Sequence, residues 1–128
     1  DWSSDVCSSD LDGSLARLRA QGTAVQARSA FLQGLMLMAP PAVDAKLPRA
    51  TAAIARWRAA CDAAGTTPLA AALAFVMCQP EIDQVVVGVH SRDHLAECLS
   101  ALEATAALPW DGIACADPDI VDPRRWAA

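Results

Sequence analysis

A chain of 128 residues with 54% apolar side chains has room for one domain and enough apolar surface for a packed core, so a disordered chain is excluded. The formal charge of −5, with Arg124-Arg125 as its densest basic point, argues against a nucleic-acid surface. No run of about 18 apolar residues is present, and the N-terminus lacks the basic and apolar regions of a signal peptide, so a cytoplasmic protein with no membrane partner is expected.

The opening DWSSDVCSSDL is rich in serine and aspartate, unlike the alanine- and leucine-dense chain after it. Read back into codons, it resembles a sequencing-library adapter translated in one frame. Asp1 to Leu11 is therefore expected to be a non-native, disordered leader, with residues 12–128 as the evolved part of a longer protein. The five cysteines, at 7, 61, 78, 98 and 115, form no CxxC pair and no Cys/His cluster with zinc spacing. Neither a metal site nor a disulfide framework is expected, and they read as small buried side chains.

Leu15 and Leu18 suggest the end of a helix, closed at Gln21-Gly22 by a left-handed glycine. A strand is expected from Thr23 to Phe31. The segment after it is apolar and broken by prolines, and Leu35, Met36, Leu37 and Met38 there would cover a substrate pocket or a neighbouring element. Ala50 to Ala64 places Ile54, Trp57 and Cys61 on one helical face, and Gly65 ends it. Thr67 then caps a new helix with Pro68 in first position, and LAAALAFVMC is apolar round its circumference, which predicts burial on all sides.

The valines at 85, 86, 87 and 89 lack polar alternation and predict a central parallel strand covered on both faces. Gly88 interrupts the side-chain row where a strand bends or another molecule's backbone or phosphate approaches closely. Ser91 is a helix N-cap with Asp93 well placed for the helix dipole, and Leu95, Leu99 and Leu102 form a stripe expected to pack on the sheet. The free N–H groups of that first turn, with Arg92 beside them, can hold a phosphate. Most capped helices bind nothing, so spacing alone favours an ordinary cap with a solvated arginine. After this helix, Asp117-Pro118 and Asp122-Pro123 supply turns, and Trp110 and Trp126 are expected to anchor an irregular tail. Two parallel strands joined through helices imply a right-handed crossover, and a sheet of two strands leaves its edges open.

Together, RSAFLQGLMLM, PLAAALAFVMCQPEIDQVVVGVHSRDHLAE and DPDIVDPRRW resemble, in order and spacing, the C-terminal part of an aldo/keto reductase. The resemblance covers essentially everything after the leader. It implies an α/β fold, the C-terminal fragment of a (β/α)₈ TIM barrel carrying the last two strands with their helices and the tail. It further implies NADP as cofactor, with NAD as the alternative, and a small-molecule carbonyl substrate for the complete protein.

By position, the resemblance places Ser29, Phe31, Gln33 and Gly34 near the pyrophosphate and nicotinamide. Gly88, Val89, His90, Ser91, Arg92, His94, Glu97 and Cys98 would lie near the adenosine and its 2′-phosphate. The chain departs from the family at Arg28, where many members carry a tyrosine that stacks on the nicotinamide, and at Gly88 and His94, where a lysine and an arginine often grip the 2′-phosphate. The family's catalytic aspartate, tyrosine, lysine and histidine belong to earlier strands, and this chain contains no tyrosine, so no catalytic residue is expected in it and the fragment alone is expected to be inactive. Two alternatives are a non-catalytic binding or regulatory module derived from the barrel and a different phosphate-binding barrel.

Overall fold

The computed structural model describes residues 13–103 and 108–126; the expected leader, Asp1 to Leu11, lies outside them. Helix α1 spans Ser14–Ala20 and buries Leu15. It ends as expected, with Gly22 in the left-handed region at φ 71°. Strand β1, Gln26–Arg28, follows, with buried Ala27 between exposed Gln26 and Arg28. It is shorter than the expected span to Phe31 because Ser29 turns to φ 60° and its carbonyl accepts a hydrogen bond from the Leu32 N–H at 2.8 Å.

A 3₁₀ turn over Leu35–Leu37 leads into α2, Pro40–Lys46, and α3, Thr51–Ala63. Leu35 is fully buried among Val43, Leu47, Ala50, Ile54 and Ile120, so this apolar segment covers a neighbouring element through that side chain. Its backbone is pinned as well: the Trp57 indole N–H donates to the Met36 carbonyl at 3.2 Å, and Arg58 donates to the carbonyls of Leu37 and Met38. Ile54, Trp57 and Cys61 are the buried face of α3, as their spacing predicts.

Helix α4, Pro68–Met77, starts where Thr67 Oγ1 accepts from the Ala70 N–H at 3.1 Å. The expectation of burial all round holds for its first half only. Ala70, Ala71, Ala72 and Leu73 are buried, whereas Phe75 and Met77 are exposed, because the helix runs on past the elements that cover its start.

Strand β2, Gln84–Val86, pairs parallel with β1 in the register Gln26↔Gln84, Ala27↔Val85, Arg28↔Val86. Among the described residues the sheet has these two strands, so β2 is an edge rather than a central strand, and Val86 and Val89 are exposed. Helix α5, Arg92–Ala101, is capped by Ser91, whose hydroxyl accepts from the His94 N–H at 3.0 Å. Its expected stripe does not reach the sheet: Leu95, Leu99 and Leu102 are 44%, 57% and 50% exposed. Cys98 and Ala101 are buried instead, against Ala70 and Leu73 of α4 with Val87 beside them. Two small side chains facing the alanine surface of α4 allow close approach, and that contact turns the leucine face outward.

The tail carries α6, Trp110–Ile113, and α7, Pro118–Val121. The Asp117 carboxylate caps α7 by accepting from the Asp119 N–H, and Asp122 does the same for Arg124. Both tryptophans anchor it. Trp110 stacks near Trp57 with ring centroids 6.4 Å apart, and the Trp126 indole N–H donates to the Ile120 carbonyl at 3.0 Å. The result is an α/β arrangement dominated by helices. Among the described residues, no single helix is long and apolar enough to cross a membrane.

Candidate functional site

Parallel pairing brings the C-terminal ends of β1 and β2 side by side, and both chains leave the ladder there. Beyond β1, Ser29, Leu32, Gln33 and Gly34 take left-handed φ values of 60°, 49°, 54° and 80°. For three non-glycine residues this stores strain of order 1–3 kcal/mol each, a cost that persists only where surrounding contacts over-determine the backbone. The burial of Leu35 and the bonds from Trp57 and Arg58 supply those contacts. Beyond β2, Val87 to His90 run without ladder partners to the Ser91 cap. A Cβ built on Gly88 meets nothing within 4 Å, so this backbone faces open space.

Between the two exits lies a cleft of about 350 Å³. Of the residues expected at a cofactor site, Ser29, Phe31, Gln33 and Gly34 line it from one side and Gly88, His90 and His94 from the other. The remaining five lie apart from it. Ser91 is engaged as the cap, Val89, Arg92 and Glu97 are exposed on the outside, and Cys98 points into the core. Burial pushes the Cys98 thiol up from its ordinary value, with the Glu97 carboxylate adding to the effect. Ala30, Leu37, Val86 and Val87 complete the lining. The sequence offered them as part of the apolar loop and the valine run, but nothing in those patterns says which members face a cavity.

The two imidazoles sit together, with ring centroids 4.5 Å apart, and the Phe31 ring lies 6.4 Å from His94. Phe31 also packs between the core around Trp57 and the core around Leu73, which ties the cleft wall to the body of the protein. His94 Nδ1 is buried and has no hydrogen-bond partner among the described residues. Such an atom is uncommon in a folded protein and calls for a functional account. Among the described lining residues, the ionisable side chains are His90 and His94, with Ser29 and Gln33 adding neutral hydrogen-bonding groups. That set can bind and orient a polar ligand. It holds no paired nucleophile and base, and no carboxylate among the described residues.

The fold and the cleft define an α/β unit with a mainly apolar cleft, carrying a few polar groups, at the C-terminal ends of parallel strands, a position where α/β proteins commonly take ligands. The chain matches no protein-family model and no curated protein.

Proposed function

We propose that the chain is the C-terminal segment of a cytoplasmic, NADP-dependent aldo/keto reductase, whose complete form transfers hydride between NADPH and an aldehyde or ketone. In this reading the segment supplies the last two strands of a (β/α)₈ barrel, and its cleft holds part of the nucleotide. The observation that carries it is the gathering of Ser29, Gln33, Gly88, His90 and His94 at the C-terminal ends of two parallel strands, where barrel enzymes keep their sites. The open space at Gly88 suits close approach of a phosphate, and the strained turn from Ser29 to Gly34 suits a pre-organised binding loop.

The bound nicotinamide supplies the hydride chemistry; the residues here bind, orient and exclude water. Carbonyl reduction also needs a proton donor beside the developing alkoxide, and a chain with no tyrosine does not carry the family's donor. That group belongs to the upstream part of the complete protein.

Binding of NADP to wild type and to Gly88→Val tests the proposal. The valine side chain enters open space, so melting should be unchanged while NADP affinity falls at least about tenfold, since a blocked phosphate contact is worth more than 1.4 kcal/mol. Equal affinity of the two proteins for NADP would refute it. In parallel, the 128-residue chain should not oxidise NADPH with a panel of aldehydes and ketones, whereas a version extended upstream should.

A further inference from the structure

Six of the eleven described residues that line the cleft belong to one segment, 29–38, between β1 and α2. Its own hydrogen bonds are short-range turns: the N–H groups of Leu32, Leu35 and Leu37 donate to the carbonyls of Ser29, Leu32 and Gly34 at 2.8, 3.0 and 3.1 Å. Turns of this kind form in more than one backbone conformation, and the left-handed φ values at Ser29, Leu32 and Gln33 favour relaxation out of this one. The segment is therefore held from outside.

Helix α3 holds it without lining the cleft. The 3₁₀ turn Leu35–Leu37 ends in the carbonyls of Met36, Leu37 and Met38, and carbonyls at a helix end lack partners within the helix. Trp57 donates to the first at 3.2 Å, and one terminal nitrogen of Arg58 donates to the other two at 3.3 and 3.2 Å. Trp57 sits in the core beside Cys61 and Ala71, whereas Arg58 is half-buried, so the arginine can be changed with the core left in place.

We infer that Arg58 is a positioning residue for the cleft: through the Leu37 and Met38 carbonyls it keeps the segment 29–38 in the strained form that presents Ser29 and Gln33 to a ligand. A ligand that needs this form binds more weakly in proportion as the form is less populated, so a residue that never touches the ligand sets its affinity. The guanidinium suits the role, because carbonyls at the end of a turn are the negative end of the local dipole and a cation there is favourable. NADP as the ligand rests on the reading above; the hold on the segment does not.

Hydrogen exchange of the 128-residue chain without ligand tests the hold. In Arg58→Met, which keeps the aliphatic stem and removes the donors, the amides of Leu32, Leu35 and Leu37 should exchange at least about tenfold faster, the scale of losing hydrogen bonds from a charged donor. The Ala71 amide in α4, which donates to the Thr67 carbonyl at 2.9 Å, should keep its rate. Arg58→Lys, with charge and donors but no planar fork, should fall between wild type and Arg58→Met. Unchanged exchange in the segment, equal acceleration at Ala71, or a lysine variant no better protected than the methionine one overturns the inference.

NADP titration separates this inference from the nucleotide reading. An affinity about tenfold lower in Arg58→Met, with the segment loosened, supports both. Loosening of the segment with no NADP binding by the wild-type chain supports the hold by Arg58 and refutes the nucleotide. NADP bound equally well by wild type and by Arg58→Met with a loosened segment supports the nucleotide and refutes the positioning role.

Discussion

The carboxylate of Asp83 accepts a hydrogen bond from the backbone N–H of Val25 at 2.8 Å, across 58 positions of sequence. The Val25 carbonyl in turn accepts from the N–H groups of Asp83 and Gln84, and Arg19 at the end of α1 donates to the same carboxylate at 2.6 Å. One acidic side chain thus ties a helix end to the starts of both strands. The ladder begins at the next step, Gln26 against Gln84. This clamp sets the register, and the register sets which residues meet at the far end of the strands, where the cleft lies.

Asp83→Asn should therefore destabilise the protein near neutral pH and not in acid. The Val25 N–H, and then the Arg19 guanidinium, hold the Asp83 carboxyl below the usual carboxylate range. A carboxyl whose folded value is lowered adds stability that is fully present above its unfolded value of about 3.9 and is lost as pH falls through the lowered folded value. Urea midpoints of wild type and Asp83→Asn should differ at pH 7 and converge as the pH drops below about 4. A constant gap from pH 7 to pH 3 would assign the loss to geometry rather than charge.

Leu35→Ala should cost about 2–5 kcal/mol, the range for emptying a fully buried leucine site. Because Leu35 also anchors the segment next to Gln33 and Gly34, ligand affinity at the cleft should fall with it. Chemical denaturation measures the first effect and titration with NADP the second; a cost below about 1 kcal/mol would mean that the 3₁₀ turn is not seated in the core.

Leu99→Ala gives the opposite expectation. At 57% exposure, with Cys98 and Ala101 occupying the buried face, its loss should change stability by no more than about 0.5 kcal/mol. A cost near that of Leu35→Ala would show that the leucine face of α5 is covered in solution.

Gly34→Ala isolates a backbone effect. A Cβ at Gly34 meets nothing within 4 Å, so the penalty comes from φ 80° alone, about 1–2 kcal/mol. Gly88→Ala, where φ is ordinary and space is open, should leave the urea midpoint within about 0.5 kcal/mol of wild type. Equal costs at the two glycines would contradict the strained turn.

Thiol labelling followed by mass mapping should modify exposed Cys78 well before Cys61 and Cys98. Burial pushes both buried thiols up, helped by Asp62 beside Cys61 and Glu97 beside Cys98, so little thiolate is present at neutral pH. Rapid labelling of Cys98 would require α5 to lift from α4.

Much of the secondary structure was legible in the residues because its causes are local. Thr67 and Ser91 cap their helices, Gly22 and Gly65 take left-handed ends, and Ile54, Trp57 and Cys61 form a buried face. Each depends on partners within a few positions, which a linear pattern contains. The candidate cleft was half legible: the residues of the two strand exits were identifiable by resemblance, but Val89, Arg92, Glu97 and Cys98 were not separable from His90 and His94.

By itself the sequence determined the element order, the caps and turns, and the absence of a tyrosine to donate a proton. Tertiary structure alone decided that both strands stop after three residues, that α5 buries Cys98 and Ala101 instead of its leucines, and that two histidines meet on one wall of a cleft while Arg92 stays outside. The physical reason is that a periodic stripe records which side chains share a face, not what that face meets. What it meets here is set by the Asp83–Val25 register and by how closely the alanines of α4 let α5 approach.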